Sequence, residues 1–427
     1  MKKTLILVFI LFISFQSFAQ ELKEYLQSIS EISNITKIRH SNAFTEAYSF
    51  YFTQALDHKQ DADEITDEFT QKIMIYYVGK DNPTVVNLEG YKIWGNYTEE
   101  LTHLLDANQI TIEHRFFGHS VPSKLDWSKL TVWQAATDQH LVLQALKPFF
   151  NGKFVSTGIS KGGQTAIFHR YLYPDDVDAS VPIVAPHNLE REDPRIYYFQ
   201  DTVGGDICQS AIYEFQKLAF EKQDDVLPLV EAQAKSRNWT FNKTGGIEKA
   251  YKLCILEYEF SYWQWGYASC SKIPKEGVSD QEIYEHLLDV SSIDFFSDQE
   301  YETFFPYFYQ GLTEIGVYGY KVDLFQEYFV DNEDITFHFV IPDSLEINYD
   351  NSMMIDIDQW LQDDAVRMLF VYGGLDTWSA TQVNVGENEE CLKMVLPKGH
   401  HATRISSFPQ EEQELMLSTL KQWLNVE

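Results

Sequence analysis

The chain has 427 residues, of which 44% are hydrophobic, and its 64 acidic and 33 basic residues give a formal charge of −31. This length suits one large domain with an insertion, or two domains, and is ample for a buried core. The negative charge repels phosphate backbones and anionic membranes, which argues against nucleic acid or a membrane as a partner.

Residues 1–19 have the layout of a cleavable secretory signal peptide. Lys2 and Lys3 precede an apolar run from Leu5 to Phe15, and small residues lead up to Ala19. We therefore expect cleavage after Ala19 and a secreted or periplasmic protein. The apolar run is short for a membrane span, and a retained N-terminal anchor is the minor alternative.

The next part of the chain predicts a sheet that begins with an antiparallel pair. Phe50-Tyr51-Phe52 and the alternating stretch from Phe69 to Tyr77 are expected at the sheet edge. Parallel strands are predicted over Thr84 to Leu88, Ile110 to Glu113, Phe154 to Gly158 and Val181 to Ala185, with a helix over Trp133 to Phe149. Such alternation is typical of a mostly parallel α/β sheet that is covered on both faces.

A serine lies on a predicted sharp turn between one of these strands and a helix. Residues 158–162 read Gly-Ile-Ser-Lys-Gly, the pattern of a nucleophile elbow that lifts the hydroxyl of Ser160 clear of the sheet. The flanking glycines, including Gly163, leave room where strand and helix come together. A chance serine in an ordinary strand-to-helix turn would match the same short pattern.

The segment from Cys208 to about Val330 is rich in aromatic residues, and its apolar residues recur with the period of a helix. We interpret this segment as a helical lid inserted into the sheet domain. The predicted division is a first core part over residues 20–205, a helical cap over 206–335 and a second core part over 336–427.

The chain has four cysteines, and three of them cluster in the predicted cap. In an oxidising compartment this clustering indicates at least one disulfide there. The pairing of Cys208, Cys254, Cys270 and Cys391 stays open, and no spacing typical of a metal site is present.

Strand character returns late in the chain. The runs Met368 to Tyr372 and Lys393 to Leu396 are predicted strands, and Gln410 to Leu424 predicts a closing amphipathic helix. The first run leads into Gly-Gly-Leu-Asp, which ends at Asp376, and the second leads into a loop with two adjacent histidines.

A serine elbow followed by an acid and then a histidine, each after a strand, is the order of a hydrolase triad. We predict that Ser160 is the nucleophile and that Asp376 orients the base. The residues alone do not decide whether His400 or His401 is that base. A turn-forming role for Asp376 is the competing interpretation.

Negative charge develops on the substrate carbonyl oxygen during acyl transfer and needs hydrogen-bond donors. The backbone N–H of Lys161 is one expected donor, and the loop after the Thr84 to Leu88 strand should supply the second. In that loop Gly90 permits close approach and Tyr91 would present its N–H or its hydroxyl, although a plain turn would have the same sequence.

Several segments carry a family resemblance, among them Thr-Gly-Ile-Ser-Lys-Gly-Gly at 157–163. The others lie at 113–122, 130–138, 165–178, 184–186, 313–316, 372–378 and 399–401. They resemble the matching segments of the prolyl tri/tetrapeptidyl aminopeptidases, secreted bacterial serine peptidases related to the prolylcarboxypeptidase and dipeptidyl peptidase II group. The resemblance implies an α/β-hydrolase core with an inserted, mostly helical cap.

The resemblance also implies site residues. The family's turn reads glycine, one variable residue and the catalytic histidine, which implies His401 as the base. This chain departs from the pattern by placing a second histidine, His400, in the variable position.

The resemblance also implies cleavage on the carboxyl side of proline near the N-terminus of a peptide. Recognition of proline predicts an apolar pocket with aromatic faces, because proline is rigid and has no N–H. Trp378 is the candidate for that pocket. Glu314, in a segment that resembles the family's, is the candidate for binding the substrate ammonium group. Glu113 and Arg115 are expected to form a buried pair that supports the site.

The resulting functional prediction is a secreted serine aminopeptidase that cleaves after proline and releases tri- and tetrapeptides through an acyl-enzyme. Its partner is a peptide substrate, and neither cofactor nor metal is expected. An esterase or lipase on the same fold, and a non-catalytic surface protein that binds a ligand, are the alternatives. Peptide length preference, natural substrate and oligomeric state are not predicted.

Overall fold

The computed structural model of the protein describes residues 21–59, 67–267, 269–330, 335, 337–342 and 344–426. The predicted signal peptide, residues 1–19, lies outside this part of the chain. Among the helices of these residues, none has both the length and the apolar character needed to cross a membrane.

The strands in the described residues form one nine-stranded sheet. They are β1 (Ile32–Lys37), β2 (Glu46–Ala55), β3 (Glu68–Tyr77), β4 (Thr84–Leu88), β5 (Asn108–Ile112), β6 (Phe154–Ile159), β7 (Ala179–Ile183), β8 (Met368–Gly373) and β9 (Cys391–Leu396). Their spatial order is β1-β2-β3-β5-β4-β6-β7-β8-β9. Pairing is antiparallel from β1 through β3 to β5, and parallel across the rest of the sheet.

The described residues also form helices, both on the faces of the sheet and in the segment between β7 and β8. They are α1 (21–28), α2 (Glu100–Leu104), α3 (Val132–Leu146), α4 (Lys161–Leu172), α5 (Pro194–Thr202), α6 (Gly205–Glu221), α7 (Gln223–Arg237), α8 (Ile247–Gln264), α9 (Asp280–Ser291), α10 (Asp298–Gln310), α11 (Ser352–Asp363) and α12 (Gln410–Leu424). Helices α2 and α12 share a hydrophobic core with one face of the central strands. Helices α3, α4 and α11 pack on the opposite face, so the central strands are buried on both sides.

Most predicted elements agree with the structure, and the differences have local causes. Strand β7 ends at Ile183 because Val184 has a φ of 43° and leaves the extended conformation. Helix α3 ends at Leu146, ahead of Pro148, whose ring and missing N–H oppose an α-helix. The predicted edge position of the β2–β3 pair was wrong, since β1 lies outside β2 and forms that edge.

The helical segment between β7 and β8 contains a hydrophobic core of its own. Side chains from α6, α7, α8 and α9 share one buried cluster. A disulfide between Cys208 and Cys270 joins the start of α6 to the turn after α8, while Cys254 and Cys391 are free. The division into core and cap at residues 206 and 335 stays a prediction.

Candidate active site

Ser160 lies on the turn between β6 and α4 in a backbone conformation that is rare for a residue with a side chain. Its φ is 57° and its ψ is −123°. Strained turns of this kind persist where the surrounding structure holds them. The backbone N–H of Ser160 donates to the carbonyl oxygen of Ile183 on β7, which ties the turn to the neighbouring strand.

Two glycines make this turn possible. A methyl group on Gly158 would lie 2.7 Å from the carbonyl oxygen of Leu88 and would also collide with the carbonyl of Gly162. A methyl group on Gly162 would lie 2.7 Å from the same Leu88 oxygen. Backbone atoms cannot move aside as a flexible side chain can, so any larger residue would displace the turn.

Asp376 and His401 come together at the ends of neighbouring parallel strands. Asp376 follows β8 and His401 follows β9, and the imidazole Nδ1 lies 2.7 Å from the carboxylate Oδ2. The other carboxylate oxygen accepts the backbone N–H of Trp378 at 3.1 Å. Close backbone approach allows this contact, because a methyl group on Gly373 would lie 2.5 Å from the backbone of His400.

The two adjacent histidines have different surroundings. His401 is buried, and its backbone N–H donates to the carbonyl of Gln264 at the end of α8 at 2.9 Å. The ring of His400 instead packs over Gly266, where a methyl group would lie 2.6 Å from it. His401, and not His400, is therefore the histidine that contacts Asp376.

Most of the predicted site residues line one cavity of about 670 Å³. Five of the seven line it: Ser160, Lys161, Tyr91, Trp378 and His401. Asp376 is fully buried behind His401. Within the described residues no hydrogen bond joins the hydroxyl of Ser160 to the imidazole of His401, although both face the cavity.

The predicted oxyanion donors lie beside the serine turn. Lys161 is the first residue of α4, and its backbone N–H has no intrahelical acceptor. The loop of Gly90 and Tyr91 packs against it so closely that a methyl group on Gly90 would lie 2.6 Å from the nitrogen of Gly162. The Tyr91 carbonyl accepts the N–H of His114 at 3.1 Å, which holds the far side of this loop.

The side chain of Lys161 adds a tether that the sequence did not reveal. Its Nζ donates to the carbonyl oxygen of Gly90 at 2.9 Å and lies 5.7 and 5.4 Å from the ring centroids of Tyr91 and Phe117. Burial lowers the pKa of Lys161 to about 7, because the charged form loses its hydration. Lys161 thus joins the elbow to the loop that carries the predicted second donor.

Aromatic rings form one wall of the cavity. The Trp378 ring is 5.1 Å from that of Phe260 and 5.3 Å from that of Tyr318, both in edge-to-face geometry. Such faces suit a flat, rigid, apolar group. The other rings of this wall are Tyr91, Phe295, Phe304 and Tyr307.

Glu314 does not lie in the cavity. Its carboxylate accepts the backbone N–H of Val132 at 2.8 Å, at the N-terminus of α3, and so satisfies one of the free donors of that helix. Burial raises its pKa to about 7. The structure thus gives Glu314 a helix-capping position in place of the predicted ammonium site.

The predicted pair of Glu113 and Arg115 was also wrong. Arg115 instead makes two hydrogen bonds to Asp138, at 2.6 and 2.7 Å. Glu113 accepts the hydroxyl of Ser120 at 2.7 Å and two backbone N–H groups. Within the described residues the two side chains thus have different partners, and no ion pair joins them.

Three buried carboxylates in the cavity escaped sequence analysis: Glu89, Glu99 and Glu257. Burial raises the pKa of Glu89 well above its ordinary value, with the nearby Glu99 adding repulsion. Burial also raises the pKa of Glu99 and of Glu257 to about 7. An available signal was the presence of two glutamates within the otherwise apolar and aromatic run of α8.

Together, the parallel sheet, the serine turn after β6 and the acid and histidine loops after β8 and β9 define an α/β-hydrolase. The sequence profile of the family described as PS-10 peptidase S37 matches residues 16–426. The chain belongs to this peptidase family, which confirms the predicted family resemblance, and it is a serine peptidase of the α/β-hydrolase fold.

The chain is also similar to individual proteins. The prolyl tri/tetrapeptidyl aminopeptidase of Streptomyces mobaraensis is 32% identical over 384 residues, which are 88% of this chain and 79% of that protein. Among solved structures, VinJ has a TM-score of 0.42 at 13% identity, covering 92% of this chain and 99% of its own. The proline iminopeptidase of Mycobacterium smegmatis has a TM-score of 0.40 at 12% identity, with the same coverage of 92% and 99%.

Proposed function

We propose that the protein is an exported serine aminopeptidase that cleaves after proline and releases tri- and tetrapeptides from peptide N-termini. The observation that carries this proposal is the 2.7 Å contact of His401 with Asp376 beside a cavity that also holds Ser160. The similarity to a prolyl tri/tetrapeptidyl aminopeptidase supports the specificity.

In the proposed reaction, the Ser160 hydroxyl attacks the carbonyl carbon of proline while His401 takes the hydroxyl proton. Asp376 holds the imidazole with Nδ1 protonated and stabilises the imidazolium. The backbone N–H groups of Lys161 and Tyr91 donate to the oxyanion. His401 then protonates the leaving amine, and water attacks the acyl-enzyme by the reverse sequence to release the peptide acid.

Specificity for proline is assigned to the aromatic wall around Trp378. The five-membered ring has flat apolar faces and offers no N–H, so burial between aromatic rings stabilises it without leaving a polar group unpaired. Export, with cleavage after Ala19, forms part of the proposal and rests on the N-terminal sequence pattern.

Two assays test this function. A fluorophosphonate probe should label the wild-type protein and leave Ser160→Ala unlabelled; absence of labelling in the wild type would favour a non-catalytic binding protein. Chromogenic anilides of Ala-Ala-Pro and Ala-Ala-Ala, compared with p-nitrophenyl acyl esters, then test specificity. We expect preferential hydrolysis of the prolyl anilide, whereas ester hydrolysis without anilide hydrolysis would establish an esterase.

A further inference from the structure

One face of helix α8 runs along the cavity. The residues of α8 that line the cavity are Glu257, Phe260, Ser261 and Gln264, at spacings of three, four and seven. These spacings place them on the same side of an α-helix. The helix therefore presents an ordered series of side chains to a bound peptide.

The C-terminal end of this face touches the proposed base. The carbonyl of Gln264 accepts the backbone N–H of His401 at 2.9 Å. Glu257 is seven residues earlier, which at about 1.5 Å per residue places it about 10 Å further along the helix axis. An extended peptide advances about 3.3 Å per residue, so three residues also span about 10 Å.

Glu257 is a buried carboxylate whose protein partners are all neutral. It is 4% exposed and accepts hydroxyl groups from Ser261, Tyr318 and Tyr320, each at 2.8 Å. In the described residues no basic side chain forms an ion pair with it, whereas Glu259 on the same helix pairs with Lys321 at 3.2 Å. A buried carboxylate without a counter-ion is costly, and a cation from a ligand would offset that cost.

The other two carboxylates of the cavity have surroundings that differ from those of Glu257. Glu89 directly follows β4 and precedes Gly90, which packs on the serine turn. Glu99 is attracted to Arg404, whose guanidinium donates to the carbonyl of His401 at 3.3 Å. Glu89 is thus next to the loop that packs on the serine turn, and Glu99 has a cationic neighbour, which Glu257 lacks.

We propose that Glu257 binds the N-terminal ammonium group of the peptide substrate and so sets the released fragment at about three residues. This inference rests on the proposed aminopeptidase function. In it, binding of the ammonium group at Glu257 determines how many residues precede the cleaved bond. The ammonium group would join the two tyrosine hydroxyls and Ser261 around the carboxylate, while the third residue, proline, lies against the aromatic wall near Ser160.

The test compares peptides that differ at the N-terminus. We expect the wild type to hydrolyse the anilide of Ala-Ala-Pro with a kcat/KM about 30-fold or more above that of its N-acetyl and des-amino analogues, because a buried charge pair is lost. In Glu257→Gln the ratio should fall to near one, mainly through KM. Glu257→Asp, which keeps the charge, should retain a preference for the free amine.

Glu259→Gln is the matched control, because it removes a buried glutamate of the same helix that pairs with Lys321 and does not line the cavity. Its ratio should equal that of the wild type, and fluorophosphonate labelling reports whether each variant keeps a folded active site.

The outcomes separate the two proposals. A wild type that hydrolyses free and acetylated prolyl peptides equally, or a labelled Glu257→Gln that keeps the wild-type ratio, would overturn the assignment of Glu257 while leaving prolyl cleavage intact. If Glu257→Gln does not fold, the assignment is decided by the hydrolysis of the free, N-acetyl and des-amino peptides by the wild type and by Glu257→Asp. A labelled wild type without activity on any prolyl anilide would instead overturn the proposed function.

Discussion

The strand ends and the helix α8 contribute to the same cavity in different ways. At the strand ends, backbone geometry places Ser160, Asp376 and His401, and glycines with no room for a side chain fix the turns. Along α8, ordinary helical spacing places side chains such as Glu257 and Phe260, and a hydrophobic core shared with α6, α7 and α9 holds the helix. In the proposed function, chemistry thus depends on backbone geometry at the strand ends, whereas peptide selection depends on side chains along one face of a helix.

The histidine doublet gives the largest expected effect and tests the strand-end half of this comparison. His401→Ala should lower kcat by about 10⁴-fold, because the proton acceptor is lost while the fold remains. His400→Ala, which removes the ring over Gly266, should lower kcat by less than about tenfold. Hydrolysis of the Ala-Ala-Pro anilide measures both, and the reverse ranking would refute the assignment of the base.

A methyl group at Gly158 tests how strictly the elbow depends on backbone contact. Gly158→Ala should lower the free energy of unfolding by about 3 kcal/mol, because the new Cβ meets the carbonyls of Leu88 and Gly162. Gly95→Ala is the control, since nothing lies within 4 Å of its Cβ position. Urea unfolding of both variants gives the comparison; equal stabilities would mean that the elbow tolerates a side chain.

On the α8 side of this comparison, we expect the contribution of Glu257 to the stability of the protein to depend on pH. Burial raises the pKa of this folded carboxyl to about 7, above its ordinary 4.5, so the native state binds the proton more tightly than the unfolded state. Its contribution to stability is therefore fully present below pH 4.5 and is lost as the pH rises through 7. Burial keeps the facing hydroxyls of Tyr318 and Tyr320 protonated, because it raises their pKa values well above the ordinary one.

The free energy of unfolding of Glu257→Gln minus that of the wild type should therefore rise by on the order of 2 kcal/mol between pH 5 and pH 8, because only the wild type loses the contribution of this carboxyl. The other charged groups of the cavity, Glu89, Glu99, Lys161 and Arg404, remain in both proteins and cancel in the difference. Urea unfolding at several pH values measures this gain. A difference that does not change with pH would contradict the raised pKa.

The smallest expected effect concerns Lys161, which joins the elbow to the loop of Gly90. Lys161→Met keeps the length of the side chain but removes the hydrogen bond to the Gly90 carbonyl. We expect kcat to fall about tenfold with KM nearly unchanged, since the oxyanion donor at Tyr91 loses its support. A higher KM with unchanged kcat would assign Lys161 to substrate binding instead.

The difference between the two regions also explains how far sequence analysis could go. Buried strands such as β4 and β8 are continuous apolar runs, and a serine between glycines is a local pattern, so both were predictable. The edge strand β1 was missed because most of its residues are exposed and show no apolar alternation. The position of β1 in the sheet is fixed by its pairing with β2, and the residues of β1 alone do not indicate it.

The partners of individual side chains were harder to predict from the sequence than the helices and strands. The capping contact of Glu314 with Val132 joins residues 182 positions apart, and the pairing of Arg115 with Asp138 depends on how α3 packs beside the sheet. Glu257 lies in a segment whose aromatic residues predict a helical core with no site attached. Such contacts follow from packing, which local periodicity does not describe.

The hydrogen bond from His401 to the carbonyl of Gln264 constrains how this scaffold can acquire new substrates. A substitution that shifts α8 would also displace the backbone that holds His401, the proposed base, so in the proposed function turnover would fall along with selectivity. Engineering of peptide preference is therefore best directed at side chains such as Glu257 and Phe260, with the last turn of the helix left untouched.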